Sequence, residues 1–436
     1  MIFALNKFWN TENTLPNKTM ILGAGIAGIS AGYHLKQKGQ NSVIFEKDAD
    51  WGGLCGYFTI DGFRFDRFVH FTFAPDDYTQ QLFAKSGKLI EHTPFPSNYY
   101  QGYWLKHPAQ NNLSPLKTAE KVKIITDFVD RPQKDISEIK NYDEWLRCQY
   151  GNYFAEHFPF AYTRKYWGVE AKELETKWVG VRMSSPSLAD VLTGAFEKQD
   201  KCFYYAKVMR YPAQGGFRSI LNYCREGLDI RLNKKVTRIS PLEKTVYFAD
   251  GTAETYERLI STLPLPEIVK IVDNCPKEVK TAAENLHWTC GYQVSLGFNK
   301  PDIAKHLWFY IYDEDIWPAR AYSPNLKSPD NTPAGCSSLQ AEVFFDCKAE
   351  IPPAQKVLAE TVTKLKQVCG FTDSDIVVKD IRFEPYANVT FTHGIYENRQ
   401  VVIDHLQSLG IETIGRFGKW DYLWTYQAFA TGKDIA

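Results

Sequence analysis

Three glycines and one acid lie in a spacing that suits nucleotide binding. Gly23, Gly25 and Gly28 occur within MILGAGIAG, and Glu46 follows in VIFEK. In a dinucleotide site the first glycine permits a tight turn, the second lets the backbone approach a pyrophosphate, and the third lets a helix pack closely on a strand. The acid accepts hydrogen bonds from ribose hydroxyls. Neighbouring residues expected to contact this ligand are Ile26, Ala27 and Lys47.

A second glycine pair distinguishes between two classes of dinucleotide. Gly52 and Gly53 follow shortly after the ribose acid, and Leu54 comes next. Flavoproteins lay such a second loop along the same pyrophosphate, whereas NAD dehydrogenases seldom carry it. The sequence therefore predicts FAD, with its isoalloxazine ring extending toward residues 65–70.

The elements that position these residues follow from hydrophobic pattern and turn signals. Residues 19–22 read as a buried strand, 26–38 as a helix with Gly39 just after its end, and 42–46 as the next strand. This is a βαβ unit, and it predicts an α/β fold with a Rossmann-like FAD-binding domain.

The remaining chain is expected to form further structural units, because 436 residues exceed one ordinary core. Charged, helix-forming segments at 78–88, 117–129, 142–150 and 189–197 predict a mainly helical insert over 76–205. An Asp250-Gly251 turn predicts a hairpin between strands 245–248 and 254–260. Short strands over 289–345 predict an antiparallel β-sheet substrate domain over 266–399. The FAD-binding domain is then discontinuous, comprising 16–75, 206–265 and 400–436.

Composition excludes several function classes. Lysine plus arginine and aspartate plus glutamate number 51 each, so no overall charge attracts nucleic acid or an anionic membrane. Nine scattered cysteines without a Cys-x-x-Cys pair indicate the reducing cytoplasm and no metal site. No apolar run approaches the length of a membrane span, and residues 1–16 read as an extension, not a signal peptide.

Several further segments carry a resemblance to a known family. They are NYDEWLRCQYGNYFAEHFPFAYTRKYWGVEAKELETKWVGVRM (141–183), HPAQNNLS (107–114), RYPAQGG (210–216), LISTLP (259–264) and GRFGKWDYLWTYQAF (415–429). In this order they resemble the UDP-galactopyranose mutases, especially the eukaryotic type, within the superfamily that also holds protoporphyrinogen oxidases, amine oxidases and phytoene desaturases. The resemblance spans most of residues 19–432.

This resemblance implies a flavin-dependent isomerase that interconverts UDP-galactopyranose and UDP-galactofuranose for cell-surface polysaccharide biosynthesis. In that family the N5 atom of reduced FAD is the nucleophile at the anomeric carbon of the sugar, and no net oxidation occurs. The departing diphosphate needs stabilisation, which a planar arginine fork supplies.

The family's functional residues map onto named positions here. Arg182 and Arg320 match the diphosphate-binding arginines, and Tyr422, with Tyr322 across a gap, matches tyrosines that bond the same group. Trp167 would form one wall of the sugar pocket. The catalytic residues that the resemblance implies are His70, Arg182 and Arg320. Further implied cofactor contacts are Val236, Gly415, Arg416, Tyr422, Gln427 and His70, the last beneath the flavin ring.

One departure keeps a second function open. The family's Gly-Gly-His reads Phe68-Val69-His70 here, so the histidine is kept and both glycines are absent. The alternative is an FAD-dependent oxidoreductase of the amine oxidase or protoporphyrinogen oxidase type, with the flavin as hydride acceptor. A third class is an FAD-bound scaffold without activity. The sequence leaves open which sugar nucleotide binds, whether NADPH or another donor reduces the flavin, and the oligomeric state.

Overall fold

The computed structural model describes residues 19–183, 185–199, 204 and 206–436. The N-terminal extension predicted at residues 1–16 lies outside the described part of the chain. Parallel and antiparallel sheets are combined with helices, which confirms the predicted α/β class.

The strands, in chain order, are β1 (Thr19–Leu22), β2 (Ser42–Phe45), β3 (Tyr57–Ile60), β4 (Phe63–Asp66), β5 (Leu89–His92), β6 (Ser97–Tyr100), β7 (Tyr103–Lys106), β8 (Met209–Pro212), β9 (Asp229–Arg231), β10 (Val236–Ser240), β11 (Thr245–Phe248), β12 (Ala253–Thr255), β13 (Arg258–Ser261), β14 (His287–Phe298), β15 (Trp308–Ile311), β16 (Arg320–Tyr322), β17 (Ser337–Asp346), β18 (Ile376–Thr390) and β19 (Ile411–Thr413).

The α-helices are α1 (Ile26–Gln37), α2 (Asp77–Ala84), α3 (Thr118–Val129), α4 (Tyr142–Tyr150), α5 (Asn152–Ala155), α6 (Ala161–Trp167), α7 (Leu188–Phe196), α8 (Asn222–Arg225), α9 (Leu265–Ile271), α10 (Lys277–Glu284), α11 (Pro324–Lys327), α12 (Ala354–Cys369), α13 (Ile395–Ser408), α14 (Gly415–Gly418) and α15 (Thr425–Ile435). Short 3-10 turns connect several of them.

A five-stranded parallel sheet, in the order β19-β13-β1-β2-β9, forms the predicted nucleotide-binding unit. The predicted β1–α1–β2 unit is confirmed, and every residue of β1 is buried, as expected for a strand covered on both faces. Parallel strands bring their carboxyl ends to one edge, so the turns after β1, β2 and β13 meet there.

The predicted strand over residues 254–260 is wrong as a single element. Its first part is β12, which pairs with β11 in a three-stranded antiparallel sheet with β10. Its second part is β13, which pairs in parallel with β1. Between them the N–H of Tyr256 donates to the carbonyl oxygen of Lys244, which ends the hairpin and lets the chain change sheets.

The second large sheet has seven strands in the order β18-β14-β17-β16-β15-β6-β7. Short strands were expected over residues 289–345, but β14 and β17 span 12 and 10 residues and pair in antiparallel over ten positions. Strands β6 and β7, from the segment predicted to be a helical insert, extend this sheet, and β6 pairs with β15 in parallel. This sheet therefore draws strands from two separate parts of the sequence.

The insert predicted over residues 76–205 contains helices as expected, together with strands β5–β7. The four helices predicted there are present as α2, α3, α4 and α7. Between α5 and α6 lies a π-helical turn, Glu156–Phe160, which contains Pro159. A proline supplies no N–H to the helix, and the wider π turn accommodates it while the chain continues to Trp167.

The last helix, α15, packs directly on α1. A Cβ at Gly432 would lie 2.4 Å from the carbonyl oxygen of Ala27, so only glycine permits this crossing. The contact returns the carboxyl terminus to the nucleotide-binding unit. Within the described residues, no helix combines the length and hydropathy that crossing a bilayer requires.

Candidate active site

The amino end of α1 is shaped to receive a phosphate group. Gly23 has a φ of +97°, and a Cβ at Gly28 would lie 2.0 Å from the carbonyl oxygen of Gly23. Gly25, just before α1, instead faces open space, because a Cβ there would meet no heavy atom within 4 Å. The first-turn N–H groups have no acceptor inside the helix and can bond a pyrophosphate beside Gly25. The first-turn residues predicted to contact it are Ile26 and Ala27.

The second glycine pair lies on the first, as the flavoprotein hypothesis requires. Gly52 donates its N–H to the carbonyl oxygen of Ala24 at 2.9 Å and bridges to Gly25. Gly52 and Gly53 have φ values of +108° and +54°, a conformation that favours glycine. A Cβ at Gly53 would lie 3.3 Å from the Cα of Gly25, so the two loops form one cradle.

Glu46 lies at the end of β2 with its carboxylate next to this cradle. Oε2 accepts from the N–H of Ala24 at 2.8 Å, and Oε1 accepts from the N–H of Asp48 at 3.1 Å. Each carboxylate oxygen can accept a further bond, so both can still bind ribose hydroxyls. Val236 begins β10 two residues after Lys234, whose N–H donates to the carbonyl oxygen of Glu46 at 2.7 Å. Lys47 is exposed, and its Nζ bonds Asp48 at 2.8 Å.

The carboxyl-terminal segment closes the cradle from the other side. Gly415 has a φ of +78°, and a Cβ there would lie 2.8 Å from the Cβ of Ala27 in α1. Arg416 donates from Nε and NH2 to the carbonyl oxygen of Leu423, at 3.0 and 2.6 Å. Gln427 caps α15, accepting from the N–H of Trp424 at 2.9 Å. Burial lowers the pKa of Arg416, so an anionic partner would stabilise its charge.

A cavity of about 430 Å³ lies between α4–α6, the seven-stranded sheet and the carboxyl-terminal segment. This volume is in the range of pockets that bind small molecules. Among the described residues that line it, the charged side chains are all arginines: Arg182, Arg320 and Arg416. Other predicted site residues in the lining are Leu54, His70, Trp167 and Tyr422.

Arg182 is held between two aromatic rings. Its guanidinium carbon lies 4.4 Å from the ring centroid of Tyr422 and 4.8 Å from that of Trp424. NH1 donates to the carbonyl oxygen of Trp178 at 2.9 Å, and NH2 to that of Tyr422 at 2.7 Å. Its Nε is buried without a hydrogen-bond partner among the described residues. The bonds from NH1 and NH2 each use one N–H, so each of these amino groups has a second N–H that can donate to a ligand.

Arg320 approaches the cavity from β16. Its Nε donates to Oε2 of Glu342, a fully buried carboxylate on β17, in a close ion pair. The guanidinium carbon lies 5.2 Å from the ring centroid of Tyr166. Because this bond uses Nε, the two terminal amino groups can still donate to an anion in the cavity.

Tyrosines supply most of the remaining polar lining. Tyr162 and Tyr166 lie one turn apart on α6, and Tyr310 and Tyr312 alternate along and just beyond β15. Burial raises the pKa of Tyr162 and of Tyr166 well above the ordinary value, with Tyr422 contributing to the shift of Tyr166. These hydroxyls therefore stay protonated and can donate hydrogen bonds.

The segment Phe68–His70 forms one wall of the cavity. The ring of His70 is 5.1 Å from that of Phe217, and its Nδ1 lies 3.1 Å from the carbonyl oxygen of Phe68. Burial lowers the pKa of His70 to about 4, so the ring is neutral at pH 7. Phe68 has a φ of +64°, the left-handed conformation that a glycine would adopt without strain.

Tyr322 does not line the cavity, and this differs from its predicted substrate contact. It is fully buried, and its O–H lies 3.3 Å from the carbonyl oxygens of Asp66 and Phe68 and bonds closely to Gln340. Tyr322 therefore contacts the backbone of the segment Phe68–His70 and does not reach the cavity.

Some lining residues were not predicted as site residues from the sequence. They include His107, Gln110, Tyr162, Tyr166, Tyr310, Tyr312 and Asn388. The spacing of these tyrosines is a signal that could have identified them. Tyr162 and Tyr166 are four residues apart on a helix, and Tyr310 and Tyr312 are two apart along and just beyond a strand, so the two side chains of each pair share one face. His107 and Gln110 lie in the segment HPAQNNLS, which the resemblance included without assigning either residue a role.

Comparisons with known proteins show the family and the fold of the chain. The family model for flavin-containing amine oxidoreductases matches residues 26–414. A crystal structure of reduced UDP-galactopyranose mutase superposes with a TM-score of 0.88 at 22% identity, covering 96% of this chain and 94% of that one. Cyclohexylamine oxidase from Brevibacterium oxydans IH-35A superposes with a TM-score of 0.67 at 13% identity, covering 96% and 97%. At these identities the superpositions show a shared fold.

A local sequence match connects the chain to carotenoid enzymes. The 4,4'-diapophytoene desaturase (4,4'-diaponeurosporene-forming) of Staphylococcus haemolyticus (strain JCSC1435) is 39% identical over 71 residues, 16% of this chain and 14% of that protein. The enzyme of the same name from Staphylococcus aureus (strain COL) is 34% identical over 74 residues, 17% and 14% respectively. The match therefore covers a small part of these curated relatives.

The glycine cradle, the free carboxylate positions of Glu46 and the open space at Gly25 fit the flavin cofactor that the family match implies. These residues would hold the adenosine and pyrophosphate groups of FAD. Since the family model matches most of its length, this chain belongs to the flavin-containing amine oxidoreductase family.

Proposed function

We propose that the protein is an FAD-dependent nucleotide-sugar mutase of the UDP-galactopyranose/UDP-galactofuranose type. The observation that carries the proposal is the cavity lining, in which Arg182, Arg320 and Arg416 are accompanied by tyrosines and, among the described residues, by no carboxylate. Such a lining suits a ligand that combines a diphosphate with a polyhydroxylated sugar.

The same lining argues against two other substrate classes. A cationic amine would be repelled by Arg182 and Arg416, which form no ion pair among the described residues, whereas Arg320 is paired with Glu342. A hydrocarbon such as a carotenoid precursor would leave the charges of Arg182 and Arg416 desolvated without an anionic partner, at a cost of several kcal/mol. An anionic substrate avoids both penalties.

The residues that line the cavity would have different roles in binding and catalysis. Arg182, through the second N–H of NH1 and of NH2, and Arg320, through its terminal amino groups, would bind the departing diphosphate and stabilise its developing charge. The protonated tyrosines on α6 and after β15 would donate to sugar and phosphate oxygens, and Trp167 would wall the sugar. Bound FAD, in its reduced form, would supply the nucleophile through N5 without net oxidation. His70, neutral at pH 7, would lie beside the flavin ring.

The proposal also names an electron donor, a biosynthetic role and a cellular compartment. A donor such as NADPH would reduce the flavin before turnover, and the product would serve cell-surface polysaccharide synthesis. The eight described cysteines are all free, which supports a reducing compartment such as the cytoplasm.

Titration of the protein with UDP-galactopyranose, followed by flavin fluorescence in the reduced and the oxidised state, tests the substrate class. We expect the reduced protein to bind the nucleotide sugar more tightly. Equal and weak binding in both states would count against the mutase proposal. UDP-glucose and galactose 1-phosphate serve as controls for the sugar and for the nucleotide.

A second candidate is an FAD-dependent oxidoreductase that acts on an anionic substrate, such as a porphyrinogen with its carboxylates. The observation that favours it is the bulky Phe68-Val69 in place of two glycines, since a fixed segment beside the flavin suits a simple hydride acceptor. Bleaching of the oxidised flavin by substrate, followed by oxygen consumption, would support this candidate. A mutase would require the flavin to be reduced in advance.

A further inference from the structure

We propose that Glu342 is a positioning residue that links the anion-binding Arg320 to the backbone of the segment Phe68–His70, so that an anion bound at Arg320 alters the flavin environment. The inference rests on the proposed function for the identity of the anion. It concerns a residue that neither the sequence nor the comparisons indicated.

Glu342 makes two bonds that point in different directions. Oε2 accepts from Nε of Arg320, and Oε1 accepts from the backbone N–H of Val69 at 2.5 Å. The carboxylate is fully buried, so these bonds satisfy a charge that water does not reach. One side chain therefore joins the substrate arginine to the residue next to His70.

The register of the seven-stranded sheet explains why these groups meet. Arg320 on β16, Glu342 on β17 and Gln293 on β14 are direct cross-strand partners in one row. Gln293 accepts through Oε1 from the N–H of Phe68 at 2.9 Å, next to the bond from Val69. Two neighbouring side chains of this row thus hold two consecutive N–H groups of the segment.

A second row of the sheet holds the same segment by its carbonyl groups. Tyr322 on β16 and Gln340 on β17 are cross-strand partners, and the O–H of Tyr322 lies 3.3 Å from the carbonyl oxygens of Asp66 and Phe68. Phe68 keeps its φ of +64° with a side chain that is 4% exposed. The sheet thus enforces a backbone conformation that a non-glycine residue rarely adopts.

An anion at Arg320 would act on this arrangement through charge. The anion and Glu342 compete for the same guanidinium, so anion binding weakens the Arg320–Glu342 bond and leaves more of the carboxylate's charge on the Val69 N–H. The segment that lines the flavin end of the cavity would then respond to substrate. In this chain the link would take the place of the flexibility that two glycines give in the mutase motif.

The test uses the FAD-bound protein and two probes, inorganic pyrophosphate and UDP. Binding is measured by calorimetry, and the response by the flavin difference spectrum and the flavin midpoint potential with and without saturating probe. In the wild type we expect binding together with a spectral change and a shift in potential. Glu342→Gln should bind pyrophosphate at least as tightly, because a negative charge beside Arg320 is removed, but the spectral change and the potential shift should be lost.

Two further variants separate the link from a general effect on folding. Gln293→Met removes the acceptor at Phe68 and leaves Arg320 in place, so it should keep the wild-type affinity for pyrophosphate and change the flavin response. Glu412→Gln is the matched control, since Arg258 and Glu412 form a similar pair between β13 and β19, and it should behave as the wild type.

The outcomes distinguish the inference from the proposed function. A full spectral and potential response in Glu342→Gln, or a wild-type response in Gln293→Met if Glu342→Gln does not fold, would overturn the inference. A Glu342-dependent response to pyrophosphate in a protein that does not turn over UDP-sugars would keep the inference and overturn the proposed function. If neither probe binds the wild type, both fail.

Discussion

The guanidinium of Arg182 lies over the ring of Tyr422 at 4.4 Å, while its NH2 donates to the carbonyl oxygen of the same residue at 2.7 Å. Arg182 comes from the insert, whereas Tyr422 follows α14 in the carboxyl-terminal segment that closes the cofactor cradle. This contact therefore couples the proposed diphosphate site to the proposed FAD site.

Replacing Arg182 by lysine should weaken UDP binding by about tenfold, or about 1.4 kcal/mol, because an ammonium group can neither stack on both rings nor donate as a planar fork. The dissociation constant is measured by flavin fluorescence on the reduced protein. Arg238→Lys is the control, since Arg238 pairs with Asp273 on an exposed surface. Equal affinity of Arg182→Lys and the control would remove Arg182 from the site.

Alanine substitutions at two glycines of the cradle should affect different properties, FAD content and stability. Gly25→Ala should leave the apoprotein folded but lower its FAD content, because the new methyl group occupies space proposed for the pyrophosphate. Gly28→Ala should instead destabilise the apoprotein by about 2 kcal/mol, since its methyl group would meet the carbonyl oxygen of Gly23. Thermal unfolding of flavin-stripped protein and flavin absorbance of purified protein measure the two effects. Full FAD occupancy in Gly25→Ala would contradict the proposed pyrophosphate position.

The stability of the apoprotein should depend on pH through His107. Burial lowers its pKa from 6.5 to about 4. Between these values the unfolded chain binds a proton that the folded chain does not, so the free energy of unfolding falls as the pH falls from 6.5 to about 4. His107→Gln should remove up to about 3 kcal/mol of that fall. Urea unfolding of the wild type and of His107→Gln across this pH range measures it, and the same fall in both proteins would contradict the role of His107.

The Phe68→Gly substitution has two opposed effects on the free energy of unfolding. Glycine relieves the strain of the left-handed backbone and so raises the free energy of unfolding by about 1 kcal/mol. Loss of the buried ring, whose centroid lies 5.4 Å from that of Phe344, lowers the free energy of unfolding by about 3 kcal/mol or more. We expect a net destabilisation of about 2 kcal/mol in urea unfolding. Lys244→Gly isolates the backbone effect, since Lys244 has a φ of +47° and is exposed, and it should be neutral or slightly stabilising. A stabilised Phe68→Gly would mean that the ring contributes little.

The nucleotide-binding unit could be predicted from the sequence because its signals are local. The glycines, the buried strand and the helix end at Gly39 all lie within one βαβ unit, and the structure has them as expected. The insert helices were likewise predictable from local composition. The place of β6 and β7 in the sheet was not, because it depends on the pairing of β6 with β15, some 200 residues away, which carries no local signal.

The candidate site was predictable only where a motif carried it. Arg182, Arg320 and Tyr422 were placed by the resemblance, and the structure brings all three to one cavity. Tyr322 lies on the same face of β16 as Arg320, two residues earlier, but at its position that face packs against the backbone of Asp66 and Phe68 and does not reach the cavity, which the sequence could not show. The role proposed for Glu342 could not be seen in the sequence, since it depends on cross-strand register.

Turnover of UDP-galactofuranose by the same FAD-bound protein, in the dithionite-reduced and in the air-oxidised state, tests the central claim most directly. We predict conversion to UDP-galactopyranose by the reduced protein alone, with the flavin still reduced at the end of the reaction. Absence of product under reducing conditions with FAD bound would contradict the mutase proposal. So would substrate-dependent reduction of the oxidised flavin.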